Sequence, residues 1–441
     1  MNDSETVSSN PALNEAVLSA RICAEQRRSN EAADLYRKIL SSQPDHAEAL
    51  NYLGAYALST NQVATAIDYL HRASMVPQPD AEGLCNLGLA YVTSNQMDKA
   101  LDTLRRCVEM KPDFFRARLH LARIMELMGH NDEAITHYYA ALLHAQQQGR
   151  WLNDASTAPG LRDMVKHATR VTRIKRKRLF EAVLQPYYAR HGMTEMARVT
   201  KALAGYLGEI PIDYPDARQR PKFFYFPDLP TVPYFSRELF PWYATLEENF
   251  DVIRTELLAV MNVENAFQPF LQFHPDQNIK ESLGGCEKPQ WNAFFFYRHG
   301  ERYDENCARC PRTAAVIDSL PTLARVRDHA PEVCFSLLTP GSHILPHRGV
   351  TNTRLVTHLP LIVPDDCALN VSGEQHAWQE GRCVTFDDTF EHEAWNRSER
   401  TRVVVLIDTW NPYMTAAECD AVKDLVETIG DFNRHAESVQ S

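Results

Sequence analysis

A 34-residue period in the first third of the chain constrains its fold more than any other feature. Ala32, Ala66, Ala100 and Ala134 fall at that spacing, and a second small residue keeps the same step at Ala20, Gly54, Gly88 and Ala122. Leu53, Leu87 and Leu121 precede three of these, while Pro44 and Pro112 stand two periods apart with Pro77 and Pro79 straddling the position between. Two helices approach closely only where a side chain is small, and proline stops a helix before the next unit begins. Asn61 and Asn95 fall in the expected turns between paired helices, where asparagine tolerates turn geometry. Residues 13–147 are therefore expected to form a stack of helical hairpins, each burying its apolar face on the next.

This pattern resembles tetratricopeptide repeats. It is specific for fold and nearly silent on function, because such an array can bind an extended peptide or only scaffold and dimerise. Residues 1–12 are expected to be a flexible tail, and 148–215 a helical connector without the phase. The connector holds a basic run, Arg173, Lys175, Arg176, Lys177 and Arg178, interleaved with Val171, Ile174, Leu179, Phe180 and Val183. That mixture reads as the solvated face of an amphipathic helix in preference to a nucleic-acid site. The net charge of −11 points the same way, since nucleic-acid binding normally needs a basic face.

After Pro211 the chain turns aromatic and proline-rich, from Phe223-Phe224-Tyr225-Phe226-Pro227 to Pro233-Tyr234-Phe235, as a linker entering a new domain. Leu246, Phe250, Ile253 and Leu257 then step at helical spacing. Short β-rich runs follow at Trp291–Tyr297, Val333–Leu338, Thr353–Val363, Val384–Phe386 and Arg402–Trp410, with turn residues at Pro340-Gly341 and Ser372-Gly373. Such runs predict a sandwich or jelly-roll barrel. The whole reads as an α+β multidomain chain, an α-helical solenoid followed by a double-stranded β-helix (jelly-roll, cupin-like) barrel over 216–416, with a C-terminal helix and tail at 417–441. Within Thr353–Val363, alternation puts Leu355, Leu359, Leu361 and Val363 on one face and Arg354, Val356 and His358 on the other. One face suits a core and the other a polar pocket.

Three residues carry candidate chemistry: His347, His392 and Arg402. Two imidazoles on neighbouring strands can bind iron(II) and leave sites for a bidentate 2-oxo acid and dioxygen. A nearby arginine can hold a distal carboxylate by a two-pronged charge-assisted hydrogen bond. Any one histidine alone would read as structural; the ordered set is what points to chemistry. Asp387 and Asp388 either orient a metal-bound imidazole or form a turn. Cys307-x-x-Cys310 has no second pair and no histidine at finger spacing, so no zinc site is expected there.

Pro346-His347-Arg348-Gly349-Val350-Thr351-Asn352-Thr353-Arg354-Leu355, with His358-Leu359, resembles the aspartyl/asparaginyl β-hydroxylase family. So does Phe386-Asp387-Asp388-Thr389-Phe390-Glu391-His392-Glu393-Ala394-Trp395-Asn396. Trp291, Gly300, Arg302, Cys307 and Pro311 upstream and Asp408-x-Trp410-x-Pro412 downstream extend the resemblance over 220–415. It implies iron(II) held by His347 and His392, with 2-oxoglutarate as co-substrate. Arg402 and Ser336 would bind the far carboxylate of 2-oxoglutarate and His358 would approach its chelating end. Arg354 and Arg302 would meet the substrate. Where many such oxygenases carry a third ligand, an aspartate, this chain has Gly349; eukaryotic members share the glycine, which implies water in the coordination shell. Val356 departs from those members, which have an arginine that contacts the co-substrate.

The resemblance implies a dioxygenase that hydroxylates a C–H bond, with peptidyl Asp or Asn as the family's best-known acceptor. Related domains act on lipids and peptide natural products. Two rival readings are a repeat adaptor with a catalytically silent barrel, which Val356 would favour, and a cupin-type lyase or isomerase, which would not need Arg402. The expected partner is a peptide or protein substrate recruited by the repeats, with no nucleic acid. No run approaches the ~18 apolar residues of a membrane span. The opening Met1-Asn2-Asp3-Ser4-Glu5 lacks an export pattern and the ten cysteines are scattered, so a reducing cytoplasmic setting is expected.

Overall fold

The computed structural model describes residues 11–271 and 279–438, so most of the tail expected at 1–12 lies outside the described residues. The chain divides into two compact units, one of residues 1–176 with 432–441 and the other of 177–431. The expected boundary at 215/216 thus lies inside the second unit.

In the first unit the helices pair as hairpins: α1 (Pro11–Glu25) with α2 (Ser29–Ser42), α3 (Ala47–Ser59) with α4 (Val63–Ser74), α5 (Ala81–Thr93) with α6 (Met97–Met110), and α7 (Phe115–Leu127) with α8 (Asn131–Gln147). The phased small residues lie where these helices pack. Ala20, Ala32, Ala66, Ala100 and Ala122 are buried, and a Cβ added at Gly54 would fall on Leu70, at Gly88 on Leu104. Those two leucines are themselves one period apart, so the same close approach recurs. Asn61 and Asn95 turn the chain with φ of 58° and 60°, the left-handed region that asparagine enters at low cost. These are tetratricopeptide-like repeats. In the basic run, Lys175 pairs with Asp132 at 2.7 Å within this unit.

The second unit begins within α9 (Arg162–Glu195) and continues through α10 (Ala197–Tyr206), α11 (Tyr243–Glu248) and α12 (Phe250–Met261). Its strands are β1 (Gln268–Pro269), β2 (Leu283–Gly284), β3 (Trp291–Arg298), β4 (Glu301–Arg302), β5 (Val333–Leu338), β6 (His343–His347), β7 (Arg354–Ile362), β8 (Cys367–Val371), β9 (Glu374–His376), β10 (Val384–Phe386), β11 (His392–Asn396) and β12 (Arg402–Trp410). Helices α13 (Asp304–Arg309) and α14 (Pro311–Asp318) intervene before β5, and α15 (Ala416–Ser438) follows β12. One sheet has the order β1-β3-β5-β12-β7-β10, with β4 beside β3; the other has the order β2-β6-β11-β8-β9, and their pairings are antiparallel.

Strand alternation sorts the first sheet's residues into two cores. Phe294, Phe296, Val333, Phe335, Leu355, Leu359, Val403, Val405 and Ile407 pack with Leu246, Ile253, Leu257 and Ile317 of α11, α12 and α14. The alternate residues Ala293, Phe295, Cys334, Val356, Val404 and Leu406 pack with Ile344, Leu369, Val371 and Ala394 of the second sheet. Period-2 alternation with an apolar residue on both faces is what a sheet covered on both sides requires. The face predicted to be polar on β7 is the one turned to the second sheet, and the cavity lies there. Among the described residues no helix is long and apolar enough to cross a membrane.

Candidate active site

His347 closes β6 and His392 opens β11, and the pairing of these two strands sets them directly opposite each other. Their rings stand 4.1 Å apart between centroids. Each Nδ1 donates to a main-chain carbonyl two residues upstream, His347 to Leu345 at 2.8 Å and His392 to Phe390 at 3.1 Å. Committing Nδ1 in this way places the lone pair on Nε2, the nitrogen a metal would take. Burial pushes the His347 imidazolium down, and burial together with the neighbouring His347 pushes His392 down to about 3. Both rings are therefore neutral donors near neutral pH.

Among the described residues no group of three or more His, Cys, Asp or Glu is placed to hold a metal ion. Among the described residues no further such side chain joins the imidazole pair, and Gly349 shows why one cannot be added simply. A Cβ there would fall on the carboxylate of Asp388, and the Gly349 N–H donates to the Asp388 carbonyl at 2.6 Å. Burial raises the Asp388 carboxyl to about 8, and its Oδ1 is buried without a hydrogen-bond partner. Asp387 is a turn former instead: its carboxylate accepts from Gln219 Nε2 at 2.6 Å and from the Thr389 N–H at 2.9 Å.

Arg402 opens β12 opposite Leu338 of β5 and is 1% exposed. Its Nη1 donates to the Ser336 carbonyl at 3.2 Å, while Nε is buried without a partner. No carboxylate among the described residues pairs with it, and burial lowers its guanidinium to about 10. Ser336 Oγ accepts from Trp291 Nε1 at 2.9 Å, which leaves its own O–H free to donate. His358 is buried with Nδ1 unpartnered, and burial, then Arg402, holds it well below the usual imidazole range. Arg354 is already paired: Nη1 donates to Asp408 Oδ2 at 2.7 Å and to the His329 carbonyl at 3.1 Å.

One cavity of about 190 Å³ is lined by His347, His392, Ser336, Arg354, His358 and Arg402 together. Val356 lines it too and offers no donor. Arg302 is not brought there: it is paired with Asp304 and, at 3.2 Å, with Asp318. Sequence reasoning singled out neither Glu332, which lines the cavity, nor Trp378, whose ring lies against Arg402. Asp408 was visible only as a letter of the downstream motif. No spacing marks Trp378, in the stretch between β9 and β10.

Residues 247–412 match the family model described as aspartyl/asparaginyl beta-hydroxylase, and 19–79 and 81–114 match tetratricopeptide repeat models. The chain is 34% identical over 249 residues to "Aspartate beta-hydroxylase domain-containing protein 2" of Xenopus tropicalis, covering 55% of this chain and 64% of that protein, just under two thirds of its length. It is 35% identical to the Mus musculus protein of the same description, over 54% of this chain and 68% of that one. It is also 34% identical to "Ornithine lipid ester-linked acyl 2-hydroxylase" of Rhizobium tropici, over 42% of this chain and 63% of that protein.

Proposed function

The chain belongs to the aspartyl/asparaginyl β-hydroxylase family, and on that premise we propose that it is an iron(II)- and 2-oxoglutarate-dependent hydroxylase of a C–H bond, with peptidyl Asp or Asn as the acceptor. The observation that carries the proposal is a single cavity with two neutral imidazoles and a buried guanidinium that has no counter-charge among the described residues. A buried charge without a partner is costly, and a bound carboxylate relieves that cost. Two imidazoles with Nε2 available suit a divalent metal of the first transition row. The donor set therefore fits both groups.

When bound, iron(II) and 2-oxoglutarate would activate dioxygen, the oxidant, whose two atoms would end in succinate, as CO2 leaves, and in the new C–OH. The chain's own residues do the rest. His347 and His392 would hold the metal, their tautomers fixed by the carbonyls of Leu345 and Phe390. Arg402 would anchor the far carboxylate, with the Ser336 O–H available to it. His358 would approach the chelating end. Phe270 stacks on Trp291 with centroids 3.9 Å apart, and both rings line the cavity. Arg354, its charge offset by Asp408, keeps further N–H donors for the substrate.

The repeats supply the support for a polypeptide acceptor, since arrays of this kind bind extended peptides. A reducing compartment such as the cytoplasm suits the iron(II) and the ten free cysteines. One observation favours a second acceptor, a lipid acyl chain. A mainly apolar recess, bounded by Phe223, Phe224, Val350, Trp410 and Val426, also borders Arg354. The deciding experiment offers Asp- and Asn-containing peptides and acyl lipids separately, with iron(II) and 2-oxoglutarate, and measures succinate and oxygen incorporation. Succinate coupled to peptide hydroxylation supports the first acceptor. Coupling to neither, with no uncoupled turnover, would leave the barrel as the silent partner of an adaptor.

A further inference from the structure

We propose that Trp378 is a positioning residue for the carboxylate-binding arginine, an inference that rests on reading the cavity as a 2-oxoglutarate site. Trp378 is buried between β9 and β10, and Arg402 Cζ stands 4.9 Å from the centre of its ring. On the protein side the guanidinium has a hydrogen bond to the Ser336 carbonyl, a partnerless Nε and no carboxylate. The indole face is thus what meets its positive charge. A π face attracts a desolvated guanidinium and covers one side of its plane, leaving the edges for a carboxylate.

The indole N–H is itself buried without a partner, so no hydrogen bond of its own holds the ring there. Its other ring neighbour is His358, centroids 5.8 Å apart, which lines the cavity. Trp378 does not line the cavity, so it acts through the side chains it touches, Arg402 and His358, and only its action through Arg402 depends on a distal carboxylate. A ring that merely filled the core would serve every ligand alike. A ring that holds the guanidinium serves only ligands with a distal carboxylate, and selectivity separates the two roles.

The test is calorimetry on the full chain with manganese(II), comparing 2-oxoglutarate with 2-oxopentanoate, which keeps the 2-oxo acid end and lacks the far carboxylate. In Trp378→Leu, affinity for 2-oxoglutarate should fall about tenfold or more while that for 2-oxopentanoate holds. Trp378→Phe, which keeps a weaker aromatic face, should recover most of the loss. Equal weakening of both ligands, or unchanged selectivity in Trp378→Leu, overturns the inference. Should Trp378→Leu not fold, Trp378→Phe decides alone: a loss of selectivity of about threefold supports the inference and none overturns it. A wild-type chain with no preference for the dicarboxylate overturns the co-substrate reading, and this inference with it.

Discussion

The carbonyls of Leu345 and Phe390 fix which nitrogen of each histidine is available, and burial fixes that both rings are neutral. Protons compete with a metal only below a ligand's own pKa, and both imidazoles are held below the ordinary value of about 6.5. Proton competition at the two imidazoles should therefore weaken manganese(II) binding only below about pH 6.5, as His347 takes up a proton, and any change between that and about pH 8 belongs to the Asp388 carboxyl of the same cavity. Binding titrations on Asp388→Asn, which removes that carboxyl, check it, and a loss centred above about pH 7 in this variant would contradict it. At the other end of the cavity, Arg402→Ala should keep metal binding and lose 2-oxoglutarate affinity by about a hundredfold or more. Arg402→Lys should regain only part, because lysine offers a point charge in place of a planar fork. Calorimetry showing near-normal 2-oxoglutarate affinity in Arg402→Ala would move the carboxylate elsewhere.

Elements were legible wherever a period was. The repeat helices showed through small residues that must lie at crossings, and β7 showed through the alternation of Leu355, Leu359 and Leu361 against Arg354, Val356 and His358. Contacts between distant segments were not legible. Arg354 meets Asp408 across β7 and β12, Asp388 fills the space a side chain at Gly349 would take, and Trp378 reaches Arg402 from a stretch without a motif. Each depends on how the strands close, which no local pattern encodes. Two predictions belong to this scale. Gly88→Val places carbon against Leu104 and should cost about 1–3 kcal/mol in the repeats, seen as a lower melting temperature with manganese binding unchanged. Gly349→Asp sets a second carboxyl against that of Asp388, so it should lower stability and fail to raise metal affinity. A gain in affinity in that variant would show that the loop can open to admit a third ligand.

The second compact unit includes α10 and the latter part of α9, and one buried pair shows what they contribute. Arg198 Nη2 donates to Glu418 Oε2 at 2.5 Å, and the Glu418 side chain is only 2% exposed. A fragment spanning 177–431 should fold and bind manganese(II). One beginning at Asp216 leaves Glu418 buried without its arginine, at a cost on the order of 3 kcal/mol. Equal denaturant midpoints for the two fragments would refute that. Neutral histidines also bear on acid stability in both units. His120 and His137 are lowered to about 4 by desolvation, as His392 is to about 3. The unfolded chain binds these protons first, so the stability these histidines contribute should hold above about pH 6.5 and decline as pH falls below it, while Asp388, raised to about 8, contributes in the opposite sense. Anaerobic titration of iron(II) and 2-oxoglutarate into the full chain, with the visible spectrum recorded, decides whether one cavity takes both together. A weak charge-transfer band is expected that needs both components, is absent in His392→Ala, and demands far more 2-oxoglutarate in Arg402→Ala. No band in the wild-type chain, or an unchanged band in His392→Ala, would contradict it.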